Sequence, residues 1–599
     1  MNASETILAR SGGQPPESNR EQSSNIAAAA SPPPRSHPQG APAPRSGGQL
    51  LVDSLKVHGA DLAFGVPGES YLAVLDALHD ARDQIRFIIC RQEGGAANMA
   101  DAYGKLTGRP GICFVTRGPG ASNACVGLHT AFQDSTPVIL FIGQVGGDVA
   151  EREAFQEVDF RRMYGPMSKW VAQIDRADRV PEYVSHAFHT AVSGRPGPVV
   201  LALPEDMQTQ TATVATGGRY QRVAAYPSPA AIDQLRQMLA QAERPIVIAG
   251  GGGWSRPACD DFLAFATAFN LPVAASFRAQ DLIDNRDSHY VGDVAVGLNP
   301  RLAERIRNCD LLLAVGARLG EWTTAGYTLV EVPRPKQKFV HVHPGAEELG
   351  RVYQGDLLIN SGMPEFAAAA RKLTSTRNVW DEWTEGARAD FEAWQQPVAA
   401  PGALNMSEVV SFLRGRLPPE SIVTNGAGNF SLWVHRFYRY TGFRTQLAPT
   451  SGAMGYGVPS AVAAKLVHPD CPVVSFSGDG CFLMNGQELA TAMQYDLKIV
   501  FVVVNNGMYG TIRMHQEREF PGRVSGTGLR NPDFAALARA YGLHGETVER
   551  TQDFEAAFER AWTAKTAALL ELRVDPEAIT PRTTLSAIRA EALKARSNA

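Results

Sequence analysis

The chain of 599 residues has little cysteine, and the spacing of what it has is exclusionary. The seven cysteines (Cys90, Cys113, Cys125, Cys259, Cys309, Cys471, Cys481) are odd in number and never fall in C-x-x-C pairs. That usage argues against a disulfide framework or a zinc site and for a reducing, cytoplasmic compartment. No apolar run approaches the ~20 residues needed to cross a bilayer, so an integral membrane protein is excluded. Charge of one sign is missing too: the net charge is −4 and there is no long Lys/Arg block, so no nucleic-acid partner is expected. Nor is there a defensible Ser/His/Asp or Cys/His set for nucleophilic catalysis. What remains is an ordinary globular profile, 44% hydrophobic and 20% charged. At about 100–200 residues per domain, three or four domains are expected.

Residues 1–48 are rich in Ser, Pro, Gly, Ala and Gln and read as a disordered tail, too poor in apolar surface to offset its ordering entropy. From Gln49 on, short β-branched runs ending in Gly-rich turns alternate with Ala/Leu-rich helical stretches. The runs fall into three groups: Leu62–Gly65, Arg86–Cys90, Ile112–Thr116, Val138–Ile142 and Val199–Leu203; then Ile246–Ala249, Leu311–Val315 and Phe339–His343; then Ile422–Thr424, Val473–Ser477, Ile499–Val504 and Leu569–Val574. Apolar strands separated by helical lengths predict doubly wound parallel sheets covered on both faces. The expected architecture is therefore α/β, with three Rossmann-like domains at 49–215, 228–375 and 400–585. The linkers lie near Ala215–Pro229 and Trp394–Asn405, where the composition turns polar or Pro/Gly/Ala-rich.

The third group carries the most specific signal. VVSFSGDG ends one strand at Gly478-Asp479-Gly480, and KIVFVVVNNG ends the next at Asn505-Asn506-Gly507. Each motif alone is equally the strand-ending turn that Gly, Asp and Asn favour. Together, each after a buried strand, they place hard oxygen ligands and close-approach glycines where open α/β sheets bind ligands. Asp479 and the side-chain carbonyl of Asn506 suit an octahedral Mg²⁺ bridging phosphate oxygens, with the backbone carbonyl of Met508 as a third protein ligand. Tyr509 and Gly510 complete the phosphate side.

GDG, about two dozen residues, then NN resembles the signature of thiamine-diphosphate-dependent enzymes. The resemblance implies a buried glutamate that hydrogen-bonds the cofactor's pyrimidine ring. In IRFIICRQEGGAANMADAYGKLTG that residue is Glu93, at the end of an apolar strand and the start of a helix; read alone it is a helix-capping glutamate. In TSGAMGYGVPSAVAAK, Gly452 would offer a backbone carbonyl and Met454 the bulky side chain that bends the cofactor. VTNGAGNF places Gly428 and Asn429 against the diphosphate, in a looser match. Because Glu93 in this family acts on a cofactor held by another subunit, a homodimer or homotetramer is implied.

Among these enzymes the chain is most similar to acetolactate synthase large subunits, from Gln49 to about Pro581. The resemblance rests on FGVPGE, TRGPGASN, GQV, EAFQEVD, SGRPGPV and AMGYGVP in collinear order. It implies that Phe155 and Gln156 flank the bound intermediate and that Lys169 lies near the channel. It also implies decarboxylation of a 2-oxo acid such as pyruvate and addition of the resulting nucleophile to a second carbonyl compound, a step of branched-chain amino acid biosynthesis. Three positions depart from the pattern. Trp322 stands where the family has an acceptor-holding arginine, His515 replaces the tryptophan after the NN segment, and SFRAQDLI replaces the methionine- and glycine-rich segment that lines a flavin. Arg513, His515 or Arg318 are candidates to replace the missing arginine. GGGG (250–253), GARL (316–319) and HVHPGAEELG (341–350) still resemble a structural FAD pocket, so FAD stays open, as does a regulatory small subunit. Another 2-oxo-acid decarboxylase, a lyase, a sulfoacetaldehyde acetyltransferase-like enzyme and a non-catalytic cofactor-binding protein are the alternatives.

Overall fold

The computed structural model describes residues 43–375 and 379–597. Three six-stranded sheets, every neighbouring pair parallel, follow one another along the chain. Each of the twelve runs expected to be a strand is one, with ends shifted by no more than two residues. The N-terminal sheet runs Arg86–Ile89, Leu62–Gly65, Gly111–Val115, Val138–Gln144, Pro198–Pro204, Trp170–Gln173 in space. The C-terminal sheet repeats that order with Gln446–Leu447, Ile422–Asn425, Val473–Gly478, Val500–Asn505, Ala568–Arg573 and His544–Val548. The central sheet differs, in the order Tyr290–Val294, Val273–Ser276, Pro245–Ala249, Leu311–Val315, Lys338–His343, Leu357–Asn360. In all three the order reverses next to the first strand, which opens a crevice at the carboxyl ends there.

Regular structure is already present before Gln49. Arg45–Ser46 pairs antiparallel with Thr211–Ala212, and Ser46 caps helix Gly47–Val57 with a reciprocal bond to Gln49. Residues 1–42 of the expected tail lie outside the described residues. At the other end helix Leu585–Ser597 runs past residue 585 and packs on helix Gly510–Glu519.

The outer two sheets share a core. Helix Glu93–Thr107, with Ala96, Ala97 and Ala100 fully buried, packs on helix Gly457–Val467, where Ala461, Ala463 and Ala464 are equally buried. Small side chains let the two backbones approach, and one apolar cluster runs from Leu62 and Cys113 through this contact to Phe501 and Leu569. A buried polar knot reinforces it: Lys105 pairs with Asp101 at 2.9 Å and with Asp134, and Tyr456 donates to Asp101 at 2.6 Å.

Candidate functional site

The crevice of the C-terminal sheet lies between Ile422–Asn425 and Val473–Gly478. There the loops after three strands and the segment around Gly452 enclose a cavity of about 240 Å³. Gly428, Asn429, Gly452, Met454, Gly478, Asp479, Gly480, Asn506, Met508, Tyr509 and Gly510 all line it. Residues spread over some eighty positions are thus brought together by parallel strands ending on one edge.

Asp479 is held rigidly. Its Oδ1 accepts from the Gly480 amide at 2.9 Å, and its Oδ2 accepts from the Gly507 amide at 2.9 Å and from Asn531 Nδ2 at 2.7 Å. Burial pushes its carboxyl up, against these bonds. Asn505 and Asn506 divide their labour. Asn505 turns away, donating to Glu571 at 2.7 Å and accepting from Asn531 at 2.9 Å, while Asn506 lines the cavity. Met508 pairs with Gly528 between two flanking bonds, Tyr509 N–H to Thr527 and Leu529 N–H to Gly507. In such a non-hydrogen-bonded pair the residue's own carbonyl faces away from its partner strand, which leaves the Met508 carbonyl free on the Asn506 side.

The glycines form a cradle. A Cβ on Gly480 would stand 2.5 Å from the Tyr509 ring, whereas at Gly452 (φ +69°) nothing lies within 4 Å, so its backbone borders open space. Asp479 is the one carboxyl side chain in the lining among the described residues; no Lys, Arg or His faces the cavity. A polyanion held here therefore requires a cation to accompany it, and an Asp–Asn–carbonyl set is hard oxygen chemistry suited to Mg²⁺. The donor set, the glycine cradle and the missing basic side chain all fit a magnesium diphosphate.

Glu93 stands elsewhere. It opens helix Glu93–Thr107, but Gln92 caps that helix, accepting from the Gly95 amide at 3.0 Å. Glu488 occupies the remaining space at the helix start, accepting from the Arg91 and Gln92 amides at 3.0 Å each. The capping role is taken by these two side chains, and the Glu93 carboxylate keeps a hydrogen bond from Asn123 Nδ2 at 2.9 Å. Close by, Gly118 abuts Gln156 (φ +64°), and Phe155 is 71% exposed with its carbonyl bonded to Arg117 at 3.0 Å. Glu93, Phe155 and Gln156 thus gather at the carboxyl edge of the N-terminal sheet, and none of them lines the cavity of the same chain. Lys169 joins neither group: it precedes its strand, at the amino edge, and ties down helix Val180–Val192 by donating to the Thr190 and Ser193 carbonyls at 2.5 and 2.6 Å.

Two of the expected replacements for the missing arginine are committed elsewhere. Arg318 donates to the Gln133 carbonyl at 3.0 Å and faces Glu348 at 3.7 Å, and Arg513 pairs with Glu517 at 2.7 Å. A neutralised guanidinium is a poor anion receptor. His515 is exposed, 3.4 Å from Arg518. In the central domain the Gly-rich turns pack on each other: a Cβ on Gly251 would lie 2.0 Å from the Gly316 carbonyl, and Trp254 donates to Gly250 at 2.8 Å. The adjoining cavity is about 350 Å³. Arg278 (φ +62°), from the segment replacing the flavin-lining one, stands in it and donates to the Pro449 carbonyl. Arg278 thus stands where the resemblance would place the flavin-lining segment, so that side of the cavity carries a cation in place of the expected methionine- and glycine-rich lining.

Sequence reading missed Asn531, Glu488 and Thr511, which exchanges bonds with Asn429 at 2.9 and 3.1 Å. Asn531 lies in a polar loop without a local signature, and Glu488 reads as one more helix-end carboxylate.

Three family models match the chain in order: thiamine pyrophosphate enzyme N-terminal TPP binding domain at residues 45–163, central domain at 232–369, and C-terminal TPP binding domain at 426–572. The chain is 32% identical over 554 residues to the acetolactate synthase large subunit of Parasynechococcus marenigrum, covering 89% of this chain and 88% of that one. It is 30% identical over 534 residues to the acetolactate synthase isozyme 2 large subunit of Escherichia coli, 88% of this chain and 96% of that one. It is also 30% identical over 539 residues to the acetolactate synthase large subunit of Corynebacterium glutamicum, covering 87% and 85%. With its glycine cradle, its Asp479–Asn506 pair and three matched domains, the chain belongs to the thiamine pyrophosphate enzymes, of the acetolactate synthase kind.

Proposed function

We propose that the protein is a carboligase that decarboxylates a 2-oxo acid such as pyruvate and joins the remaining fragment to a second carbonyl compound. The observation that carries it is the division of the site: a diphosphate cradle without basic side chains in one domain, and an uncapped, accessible glutamate beside Gln156 in another. Asp479, Asn506 and the Met508 carbonyl would hold Mg²⁺ beside the diphosphate, and Gly428, Asn429, Gly478, Gly480, Tyr509 and Gly510 would surround it. Met454 and the Gly452 carbonyl hold the pyrimidine end. Thiamine diphosphate, when bound, supplies a carbon nucleophile and an electron sink for the charge left by departing carbon dioxide. Glu93 of a second copy would face the pyrimidine end of that cofactor and hold or release a proton there, with Phe155 and Gln156 on the substrate side. FAD takes no part in this proposal, because the segment that the resemblance would have line a flavin is replaced here by the one carrying Arg278.

A homodimer is the smallest assembly that completes such a site, and a homotetramer is two of them. Support comes from exposed apolar side chains beside each half: Val126 near Glu93, and Leu483, Met484 and Ile512 around the cradle. The free cysteines support a cytoplasmic location, and no helix among the described residues is long and apolar enough to cross a membrane.

Mixed dimers test the reading. Glu93→Gln and Asp479→Ala proteins are each inactive, and after subunit exchange one site per hybrid is intact, so about a quarter of wild-type activity returns. No recovery in a mixture shown to contain hybrids overturns the shared site, and wild-type protein that releases no carbon dioxide from pyruvate overturns the reaction.

A further inference from the structure

Arginines near the core generally meet carboxylates in this chain: Arg117 meets Glu69 and Glu205, Arg439 meets Glu392, and Arg513 and Arg589 meet Glu517. Some do not, Arg278 among them, and three of these gather in one place. A chamber of about 620 Å³ opens where the end of strand Tyr290–Val294, helices Phe430–Phe437 and Gly510–Glu519, and the C-terminal helix Leu585–Ser597 come together. Arg436, Arg518 and Arg582 line it, and among the described residues none of them forms an ion pair.

Arg436 is built into the wall. Its guanidinium lies 3.6 Å above the Trp394 ring, Nε donates to the Trp394 carbonyl at 2.8 Å, and Nη1 donates to the Pro581 carbonyl at 3.2 Å. Two of its five N–H groups are thus used in fixing its plane, and the rest remain for another acceptor. Arg582, one residue past Pro581, repels Arg436, and its side chain has no hydrogen-bond partner among the described residues. Two guanidinium groups that line one chamber without an ion-paired carboxylate keep N–H donors that a single anion could engage. Asp293 and Glu591 also line the chamber, so an anion there must be held by the arginines against these two carboxyl groups.

The chamber shares two walls with the cofactor cavity. Helix Phe430–Phe437 presents Phe430 and Trp433 to the cavity and Leu432, His435 and Arg436 to the chamber. Helix Gly510–Glu519 presents Gly510, Thr511 and Ile512 to the one and Met514 and Arg518 to the other. Asn429 Nδ2 touches Met514 Sδ at 3.4 Å across the division.

We propose that this chamber is a carboxylate-recognition subsite for an anionic 2-oxo acid, with Arg436 and Arg582 as its specificity-determining cations. The assignment of the ligand rests on the carboligase reading; the anion site itself does not. A guanidinium fork accepts carboxylate and phosphate alike, so the test must separate them.

Full-length protein loaded with thiamine diphosphate and Mg²⁺ is titrated calorimetrically with oxamate, an unreactive 2-oxo acid mimic, and separately with inorganic phosphate. Arg582→Ala, whose side chain is exposed and unpaired, should fold with unchanged melting temperature and bind oxamate at least about tenfold more weakly, one charge-assisted contact being lost. Arg582→Lys should recover part of that loss. In turnover, Arg582→Ala should raise KM for pyruvate with kcat little changed. Equal oxamate affinity in wild type and Arg582→Ala overturns the site. Phosphate that binds wild type more tightly than oxamate, and loses that affinity in Arg582→Ala, overturns the substrate assignment. If oxamate binding depends on Arg582 while wild type leaves pyruvate untouched, the carboligase reading fails and the anion site stands.

Discussion

The buried carboxylate of Glu488 accepts a hydrogen bond from the backbone amide of Gln92, the residue that precedes Glu93. The same oxygen, Oε1, accepts from Arg91, and Thr491 donates to Oε2 at 2.5 Å. Glu488 follows the Asp479 loop by nine residues, so a single side chain fixes the start of the Glu93 helix to the domain that carries the cradle. Glu488→Ala removes the shared acceptor of two part-buried amides and leaves a cavity at a fully buried site. Thermal unfolding should show a loss of about 1–3 kcal/mol in all, and Glu488→Gln, which keeps an acceptor, a smaller one.

The Asp479 network separates direct from supporting ligands. Asp479→Ala should abolish tight binding of thiamine diphosphate with Mg²⁺ in calorimetry. Asn531→Ala leaves the carboxylate but removes the 2.7 Å bond that orients it. Losses of about 10–100-fold in Mg²⁺ affinity are usual for such supporting groups, and that is the expected result.

Glu93→Gln keeps size and hydrogen bonding to Asn123 but cannot exchange a proton. A drop in kcat of about 10²–10⁴-fold is expected, the range of general acid–base catalysis. Affinity for thiamine diphosphate should fall far less than kcat, since Gln keeps a hydrogen-bonding group toward the pyrimidine and the cradle residues are unaltered. Steady-state rates and calorimetry together check this.

Purified protein should lack the flavin absorbance near about 450 nm, because Arg278 lines the turn-lined cavity of the central domain in place of the flavin-lining segment. An Arg278→Ala variant that still shows no absorbance would agree with the packing of Gly251 against Gly316; a flavin spectrum in the wild type would contradict it.

Asp293 gives the pH dependence of stability a definite sign. Burial pushes its carboxyl from 3.8 up to about 7. Between those values the unfolded chain has released the proton and the folded chain retains it, so this residue lowers stability as pH rises, by at most about 1.4 kcal/mol per pH unit. Asp293→Asn should melt higher than wild type at pH 8 and close to it at pH 4, measured by calorimetric scans (test conditions chosen on either side of the carboxyl).

The interior strands were legible because a strand covered on both faces must be apolar along its length, as in Val473–Gly478 and Val500–Asn505. The strands that escaped reading are mostly peripheral or atypical. Leu357–Asn360 alternates between buried and exposed, His544–Val548 is polar and half-buried, and Val273–Ser276 is Ala-rich and reads as helix. The cradle was legible for a related reason: a backbone that must approach phosphate has to use Gly, Asp and Asn, and those residues mark themselves at strand ends.

By itself the sequence determined the chemistry that one segment can carry: the strand ends, the Asp479 and Asn506 ligands, and a glutamate opening a helix. Only the tertiary structure decided which groups are spoken for and which remain free. It gave the helix cap to Gln92 and so released Glu93, bound Arg318 and Arg513 to carboxylates, and left Arg436 and Arg582 unpaired at a shared wall. The physical reason is that a charge's availability depends on its partners in space, which come from strands and helices far apart along the chain.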